Sequence, residues 1–344
     1  MQSRKGRQLA VVAVALIVAA LLAACGSDSG SSSTSGSTST SGGSAAKGGV
    51  KIGFDSYADP SDGYTQAWKA GLECFADAHG DTVTTVYSNV DLNKQITDVQ
   101  TLLAQGVRGV FLYPLDTRAL TPTFLRAQQA GVPILSMNGP AEGAVNFDVN
   151  DNRQALGSET VALAQRVIPT GGKAVIVGGP PQALAVQQQI LGFEKAARAA
   201  GIEILGRIDT PGKTVTSQIQ GGQIIANALL SKYPDANIIY NLTPDQAMGA
   251  ALAAKSHGKT VGRDIAIVGS SINAAAVKAI QAGQITGLAD DDTWQFGYNA
   301  AEQIHNAATG GGDVTVPPWR VTVWSADNAG EWVAPEDRCA AQNG

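Results

Sequence analysis

The sequence predicts an α/β protein of two doubly wound parallel-sheet lobes, joined by a hinge that the chain crosses more than once. Three observations predict it. Short β-branched runs alternate with segments of helical spacing, the rhythm of βαβ units. That rhythm restarts after Asp151-Asn152. About 295 residues follow the last Gly of a Gly/Ser/Thr-rich stretch, more than a single core normally holds and comfortable for two.

The first element is an export signal. Arg4, Lys5 and Arg7 precede an unbroken apolar run from Leu9 to Ala24, which ends on Leu22-Ala23-Ala24-Cys25. A basic start, a short apolar middle and small residues at the cut site mark a cleaved signal peptide over 1–24. Sixteen apolar residues fall short of a bilayer crossing, which disfavours an uncleaved anchor. Leu-Ala-Ala-Cys resembles the lipobox of bacterial lipoproteins, which implies acylation of Cys25 and attachment to the outer face of the cell membrane. Residues 25–49 then serve as lipid anchor and tether. Gly26 to Gly49 has no apolar residue large enough for a core, and as a random coil of about 24 residues it spans roughly 25–30 Å.

The first lobe is expected over 50–150 and 292–322. Its strands are placed at Val50–Phe54, Thr82–Tyr87, Val107–Tyr113 and Pro133–Met137. Between them Trp68, Leu72 and Phe75, then Leu92, Ile96, Val99 and Leu103, recur at helical spacing and supply sheet-facing stripes. The second lobe, with the C-terminal tail, is expected over 151–291 and 323–344. Its strands are placed at Lys173–Val177, Glu203–Ile208, Asn237–Tyr240 and Asp264–Val268. The remainder, a segment Gln284–Asp292, a helix over Trp294–Ala308 and a strand over Arg320–Trp324, is too small for a third domain and completes the existing sheets.

Composition excludes several function classes. The net charge is −5, without a dense Lys/Arg cluster beyond the signal segment, so nucleic acid is not an expected partner. Hydrophobic residues make up 44% and aromatics 6%, which suits a closely packed α/β chain. His79, His257 and His305 are isolated near helix ends without metal-ligand spacing, and no metal is expected. Gly212-Lys213-Thr214 ends like a phosphate loop, but Arg207 stands where the first glycine belongs, and it reads as a turn. Gly258-Lys259-Thr260 fails likewise at Ala253. No dinucleotide glycine fingerprint and no nucleophile elbow appears, so neither a cofactor nor catalysis is implied. Cys74 and Cys339 form a candidate disulfide in an exported chain; bridged, they would lay the tail on the first lobe.

Val50-Lys51-Ile52-Gly53-Phe54, the run from Gln105 through Pro114, and Ala130-Gly131-Val132-Pro133-Ile134-Leu135 resemble first-lobe landmarks of ribose-binding-protein-like solute receptors, the type I periplasmic binding proteins. In the second lobe Asp151-Asn152, Leu191-Gly192-Phe193, Tyr233-Pro234-Asp235-Ala236-Asn237, Ala247-Met248-Gly249-Ala250 and Ile267-Val268-Gly269 follow the same order. The resemblance implies a solute held between the lobes by strand-end residues and collected, when the lobes close, by an ABC permease. Open α/β sheets bind ligands at strand C-terminal ends in any case. Both routes lead to candidate ligand contacts at Tyr57, Asp62, Tyr64, Tyr113, Asn138, Gln189, Thr243, Ser271, Asn273 and Asp291, with Tyr57, Tyr64, Tyr113 and Trp294 as rings for stacking.

The chain departs from the pentose-receptor pattern. Asn138-Gly139 stands for Asp-Arg, Gln189 for an arginine, Thr243-Pro244 for Asn-Asp and Ser270-Ser271 for Phe-Asp. Amides and hydroxyls in place of charged clamps suit a neutral polyhydroxyl solute and bind an anion poorly. Asp290-Asp291-Asp292 admits two readings: a carboxylate facing the cleft, which would also suit an amine, or acids capping the helix that follows. The expected function is capture of a neutral sugar, polyol or related hydroxylated solute by a monomeric lipid-anchored receptor. The alternatives are a co-receptor sensing a sugar-like or quorum signal and, less favoured, an exported sugar-active enzyme working through Asp290–Asp292.

Overall fold

A computed structural model describes residues 49–137, 139–147, 150–181, 183–209, 218–317 and 320–343, with backbone alone at 150–152, 218 and 343. The signal segment, Cys25, the tether, Asn138 and Gly212-Lys213-Thr214 lie outside the described residues.

The first lobe runs β1 (Lys51–Ser56), α1 (Gly63–His79), β2 (Thr82–Tyr87), α2 (Leu92–Ala104), β3 (Gly109–Leu112), α3 (Thr117–Gln129), β4 (Ile134–Ser136) and β5 (Val145–Asn146). Its strands form one parallel sheet in the order β2-β1-β3-β4-β5. Each helix starts on an aspartate whose side chain accepts backbone N–H groups of the first turn: Asp62, Asp91 and Asp116. Such a cap satisfies donors that have no partner within the helix. Gly80 closes α1 at φ 71°, a left-handed cap that glycine adopts without steric cost.

The second lobe follows with α4 (Asn150–Val167), β6 (Lys173–Gly178), α5 (Leu184–Ala199), β7 (Glu203–Asp209), α6 (Gln218–Lys232), β8 (Ile238–Asn241), α7 (Pro244–Ser256), β9 (Ala266–Ser270), α8 (Ala274–Gln281) and β10 (Gly287–Asp290). The chain then returns through α9 (Thr293–Thr309), which packs on α1, adds β11 (Thr322–Ser325) and ends in α10 (Pro335–Asn343). The second sheet is ordered β11-β10-β9-β8-β6-β7, parallel except for the antiparallel edge β11.

Several boundaries differ from the sequence expectation. The run Val107–Tyr113 pairs only over Gly109–Leu112, and Gln284–Asp292 only over Gly287–Asp290. β5 is two residues long and shows no period. α10 is polar, Pro335-Glu336-Asp337-Arg338 opening it, and carries no apolar stripe to announce a helix. Residues 323–344 were expected in the second lobe. β11 does lie in the second sheet, whereas α10 packs on α1 of the first, and Cys339 is bonded to Cys74.

Three helix pairs make the closest contacts, and glycines set them reciprocally. A Cβ on Gly71 of α1 would lie 2.0 Å from the Trp294 carbonyl oxygen, and one on Gly297 of α9 1.9 Å from that of Trp68. Gly157 of α4 meets Gln189, and Gly192 of α5 meets Gln154, at 2.0 and 1.9 Å. Gly222 of α6 and Gly249 of α7 do the same across their interface. Backbones this close leave no room for a side chain at the crossing.

Candidate functional site

Each sheet reverses its winding order beside its first strand, as β2-β1-β3 and β7-β6-β8. At such a reversal the connections leave in opposite directions and open a crevice at the strand C-terminal ends. Tyr57 follows β1 and Tyr113 follows β3, so the two rings meet there, with centroids 5.0 Å apart. Beneath them Trp68 is fully buried. Tyr64, one helical turn before Trp68 on α1, sits 4.8 Å from its ring edge-on, the contact that i,i+4 spacing provides. The half-buried tyrosines thus form an aromatic wall backed by Trp68. Trp294 is not part of it. It is 1% exposed, stacked on Tyr298 and covered by the Arg338 guanidinium, a core ring rather than one open to a solute.

An ionic node adjoins this wall. Tyr64 donates its hydroxyl to Asp291 Oδ2 at 2.9 Å, and Arg153 Nη1 donates to the same oxygen at 2.8 Å and to the tyrosine oxygen at 3.1 Å. Arg153 is 1% and Asp291 0% exposed. Charges so deeply buried are tolerated only when paired. Three segments of the chain converge on the node: α1 brings Tyr64, the start of α4 brings Arg153, and the turn after β10 brings Asp291. Among the described residues Asp291 Oδ1 has no hydrogen-bond partner. Burial raises the Asp291 carboxyl above its ordinary pKa, against the opposing pull of Arg153 and the Tyr64 hydrogen bond. Burial likewise holds the Tyr57 and Tyr64 hydroxyls well above the usual phenol range, so both remain proton donors.

The acidic triplet resolves into three surroundings. Asp290 ends β10, 8% exposed, and burial, then the neighbouring carboxylates, push its pKa well upward. Asp291 enters the node. Asp292 caps α9, accepting from Gln295 N at 3.2 Å. The capping reading thus describes Asp292.

Behind the wall Asp55 is wholly buried near the end of β1 and accepts from Ser88 Oγ at 3.1 Å. Burial raises its carboxyl to about 7, against hydrogen bonds from Gln95 and Ser88. Gln95 also ties the wall together, donating to the Tyr113 carbonyl at 3.0 Å and accepting from Leu115 N at 2.8 Å.

Three of the remaining expected residues cap helices. Asp62 caps α1, accepting from Thr65 N at 2.9 Å. Burial raises its carboxyl first, with Asp59 and Asp245 adding to the effect. Thr243 caps α7, accepting from Gln246 N at 3.2 Å. Asn273 caps α8, accepting from Ala276 N at 2.9 Å, and donates to Asp245 Oδ1 at 3.1 Å. Ser271 is 6% exposed at φ 62°, its N–H donating to the Ala289 carbonyl. Gln189 lies in α5, 7% exposed. Asn138 is outside the described residues.

Sequence reasoning missed Arg153, Asp55 and Asn241. Asn241 ends β8, wholly buried, and donates to the Val268 carbonyl at 3.1 Å, while among the described residues its Oδ1 has no partner. Adjacency to Asp151-Asn152 was the one signal for Arg153. No group of three or more His, Cys, Asp or Glu that could hold a metal exists among the described residues.

A family model described as a periplasmic binding protein domain matches residues 52–312. The ribose import binding protein of Bacillus subtilis is 28% identical over 219 residues, covering 62% of this chain and 67% of its own. The xylitol-binding protein of Mycolicibacterium smegmatis is 24% identical over 253 residues, covering 73% and 70%. Among solved structures, a periplasmic solute-binding protein of an ABC transporter from Actinobacillus succinogenes, with bound D-allose, matches at a TM-score of 0.74 and 17% identity, covering 82% of this chain and all of that one.

Proposed function

Because the chain belongs to the periplasmic binding protein domain family, we propose that it captures a neutral sugar or polyol between its lobes and delivers it to an ABC permease. The observation that carries this is the node of Tyr64, Arg153 and Asp291, where the buried Arg153 guanidinium is already neutralised by a carboxylate. An anionic solute would have to displace Asp291, and a cationic one Arg153. A polyhydroxyl solute needs neither: its hydroxyls donate to Asp291 Oδ1 and Asn241 Oδ1, and the rings of Tyr57 and Tyr113 offer apolar faces to its C–H groups. The relatives named for ribose and xylitol support the same class.

Binding proceeds by closure of a first lobe (50–150 with 292–322) on a second (151–291), pivoting on the segments that join them. No bond is broken in this cycle. Among the described residues no helix is long and apolar enough to cross a membrane. Membrane attachment falls to acylated Cys25 after removal of 1–24, with the receptor working as a monomer on the outer face of the cell. Several acyl chains on one cysteine suffice, each buried methylene adding roughly 0.8 kcal/mol. Mass spectrometry of membrane-extracted protein should find acyl mass on Cys25, and Cys25→Ala should release the protein from membranes.

The solute class is tested by a thermal-shift screen with D-ribose, D-allose, xylitol, myo-inositol, an amino sugar and a sugar phosphate. A shift with neutral members is expected. Shifts confined to charged members would overturn the assignment, as would none at all.

A further inference from the structure

The C-terminal helix reaches back to the turn that carries Asp291. α10 packs on α1 and is bonded to it through Cys339 and Cys74, whose Cα atoms are 5.5 Å apart. The residue before Cys339 is Arg338. Its guanidinium grips the Asp292 carboxylate with both terminal nitrogens, Nη1 on Oδ1 and Nη2 on Oδ2 at 3.0 Å. The same group lies 4.5 Å above the Trp294 ring, so one side chain touches both residues that follow Asp291 and Thr293 at the start of α9.

Asp292 is where the chain turns from β10 in the second sheet to α9 against the first lobe. It stands at φ 53° and ψ 62°, the left-handed region that residues with a side chain seldom occupy unless their surroundings enforce it. Its N-cap bond to Gln295 fixes it on the α9 side, and Arg338 fixes it from α10. The direction in which Asp291 leaves the backbone follows from how that turn is held.

We propose that Arg338 is a positioning residue of the solute site: carried on a helix that the Cys74–Cys339 bond fastens to the first lobe, it holds Asp292 in its left-handed turn and so keeps Asp291 aimed at Tyr64 and Arg153. The proposal rests on the reading of that node as part of the solute site. Arg338 and Asp292 side chains are 27% and 33% exposed, and an ion pair so open to water adds little to global stability. A forked two-point contact sets orientation, which a single-point cation does not. The same chain of contacts makes the site sensitive to reduction, because opening the disulfide frees the helix that carries the fork.

The test compares the whole chain with Arg338→Leu, Arg338→Lys and the double variant Cys74→Ser/Cys339→Ser by hydrogen exchange without solute. Arg338→Leu is expected to speed exchange over 287–298 by about tenfold and Arg338→Lys by less, with β1 and β6 unchanged; the double variant, which also loses the cross-link's stabilisation of the whole fold, should raise exchange over 287–298 beyond its rise in β1 and β6. Unaltered exchange over 287–298 in Arg338→Leu overturns the proposal, as does an equal rise throughout the protein, which would be a stability effect. Calorimetric titration with D-ribose and xylitol supplies the second readout. Arg338→Leu should weaken binding roughly tenfold when Asp291 is present and leave the residual affinity of Asp291→Asn unaltered; equal losses in both backgrounds would also overturn it. If the wild type binds neither solute, the proposed solute class fails, and the exchange comparison still decides the role of Arg338.

Discussion

At Asp55 and in the node beside it, single residues carry consequences that solution measurements can read. The Asp55 carboxyl is raised from 3.8 to about 7. Between those values the unfolded chain has released this proton while the folded protein keeps it, so stability falls as pH rises through the window and levels off above it. A gap of roughly three pH units at 1.36 kcal/mol each makes the loss about 4 kcal/mol. Asp55→Asn should abolish that slope, its stability relative to wild type growing by about that amount from pH 4 to pH 8 in urea titrations. An unchanged slope would place the ionisation elsewhere. In the node, Arg153→Met strands the Asp291 carboxylate and should cost about 3–5 kcal/mol near neutral pH, and less in acid, where Asp291 takes up a proton. The pair Arg153→Met/Asp291→Leu should recover most of that stability and still fail to bind solute in calorimetry. That combination separates what the node does for the ligand from what it does for the fold.

Helix crossings decide where these residues end up. Tyr64 and Trp68 stand on α1, which meets α9 through Gly71 and Gly297 with less than a side chain's width between backbones. Alanine at Gly71 must push α9 away and should cost about 2–3 kcal/mol, typical of overpacking. Because α9 begins at the turn holding Asp291, the same change should also weaken solute binding. Gly249→Ala, at the equally tight crossing of α7 on α6, should lower stability comparably and weaken affinity less, since neither helix carries a residue of the node and α7 follows only the Asn241 contact. Equal effects of the two substitutions on affinity would disconnect the α1–α9 contact from the site. Gly192 and Gly249, which the sequence offers as family landmarks, thereby have a physical reason: each is one of the two glycines that let a helix pair approach, Gly192 opposite Gly157 and Gly249 opposite Gly222.

For the molecule as a whole, one covalent bond closes nearly the entire folded chain. Cys74 and Cys339 are separated by 265 residues, and in the chain-entropy account such a loop restrains the unfolded state by about 5.5 kcal/mol. Reduction should therefore shift the urea midpoint markedly downward. Solute at 100 times its dissociation constant should return about 2.7 kcal/mol of that loss, provided the reduced protein still closes its lobes. The bond joins α10 to α1, so it fastens the tail to the first lobe, while β11 just before it belongs to the second sheet. The tail thus runs from the second sheet to a helix of the first lobe.

The sequence by itself determined the alternation of strands and helices, the restart after Asp151-Asn152 and the loops that gather at the strand ends, because period, β-branched runs and capping residues are local properties. It also marked Tyr57, Tyr64, Tyr113 and Asp291, which sit directly after strands or at a helix start where those properties place them. Pairing and burial were decided only in three dimensions. Arg153 and Asp291 are 138 positions apart, and nothing local distinguishes a buried arginine from a solvated one. The three adjacent acids look alike in sequence, yet the turn after β10 sends one into the node, one to a helix cap and one into the sheet end. Asp62, Thr243 and Asn273 stand in the loops the sequence selected and also cap helices, since strand C-terminal ends and helix N-termini coincide in a βαβ unit. The polar helix α10 carried no pattern to announce it; a disulfide fastens it to α1 and Arg338 ties it to the start of α9.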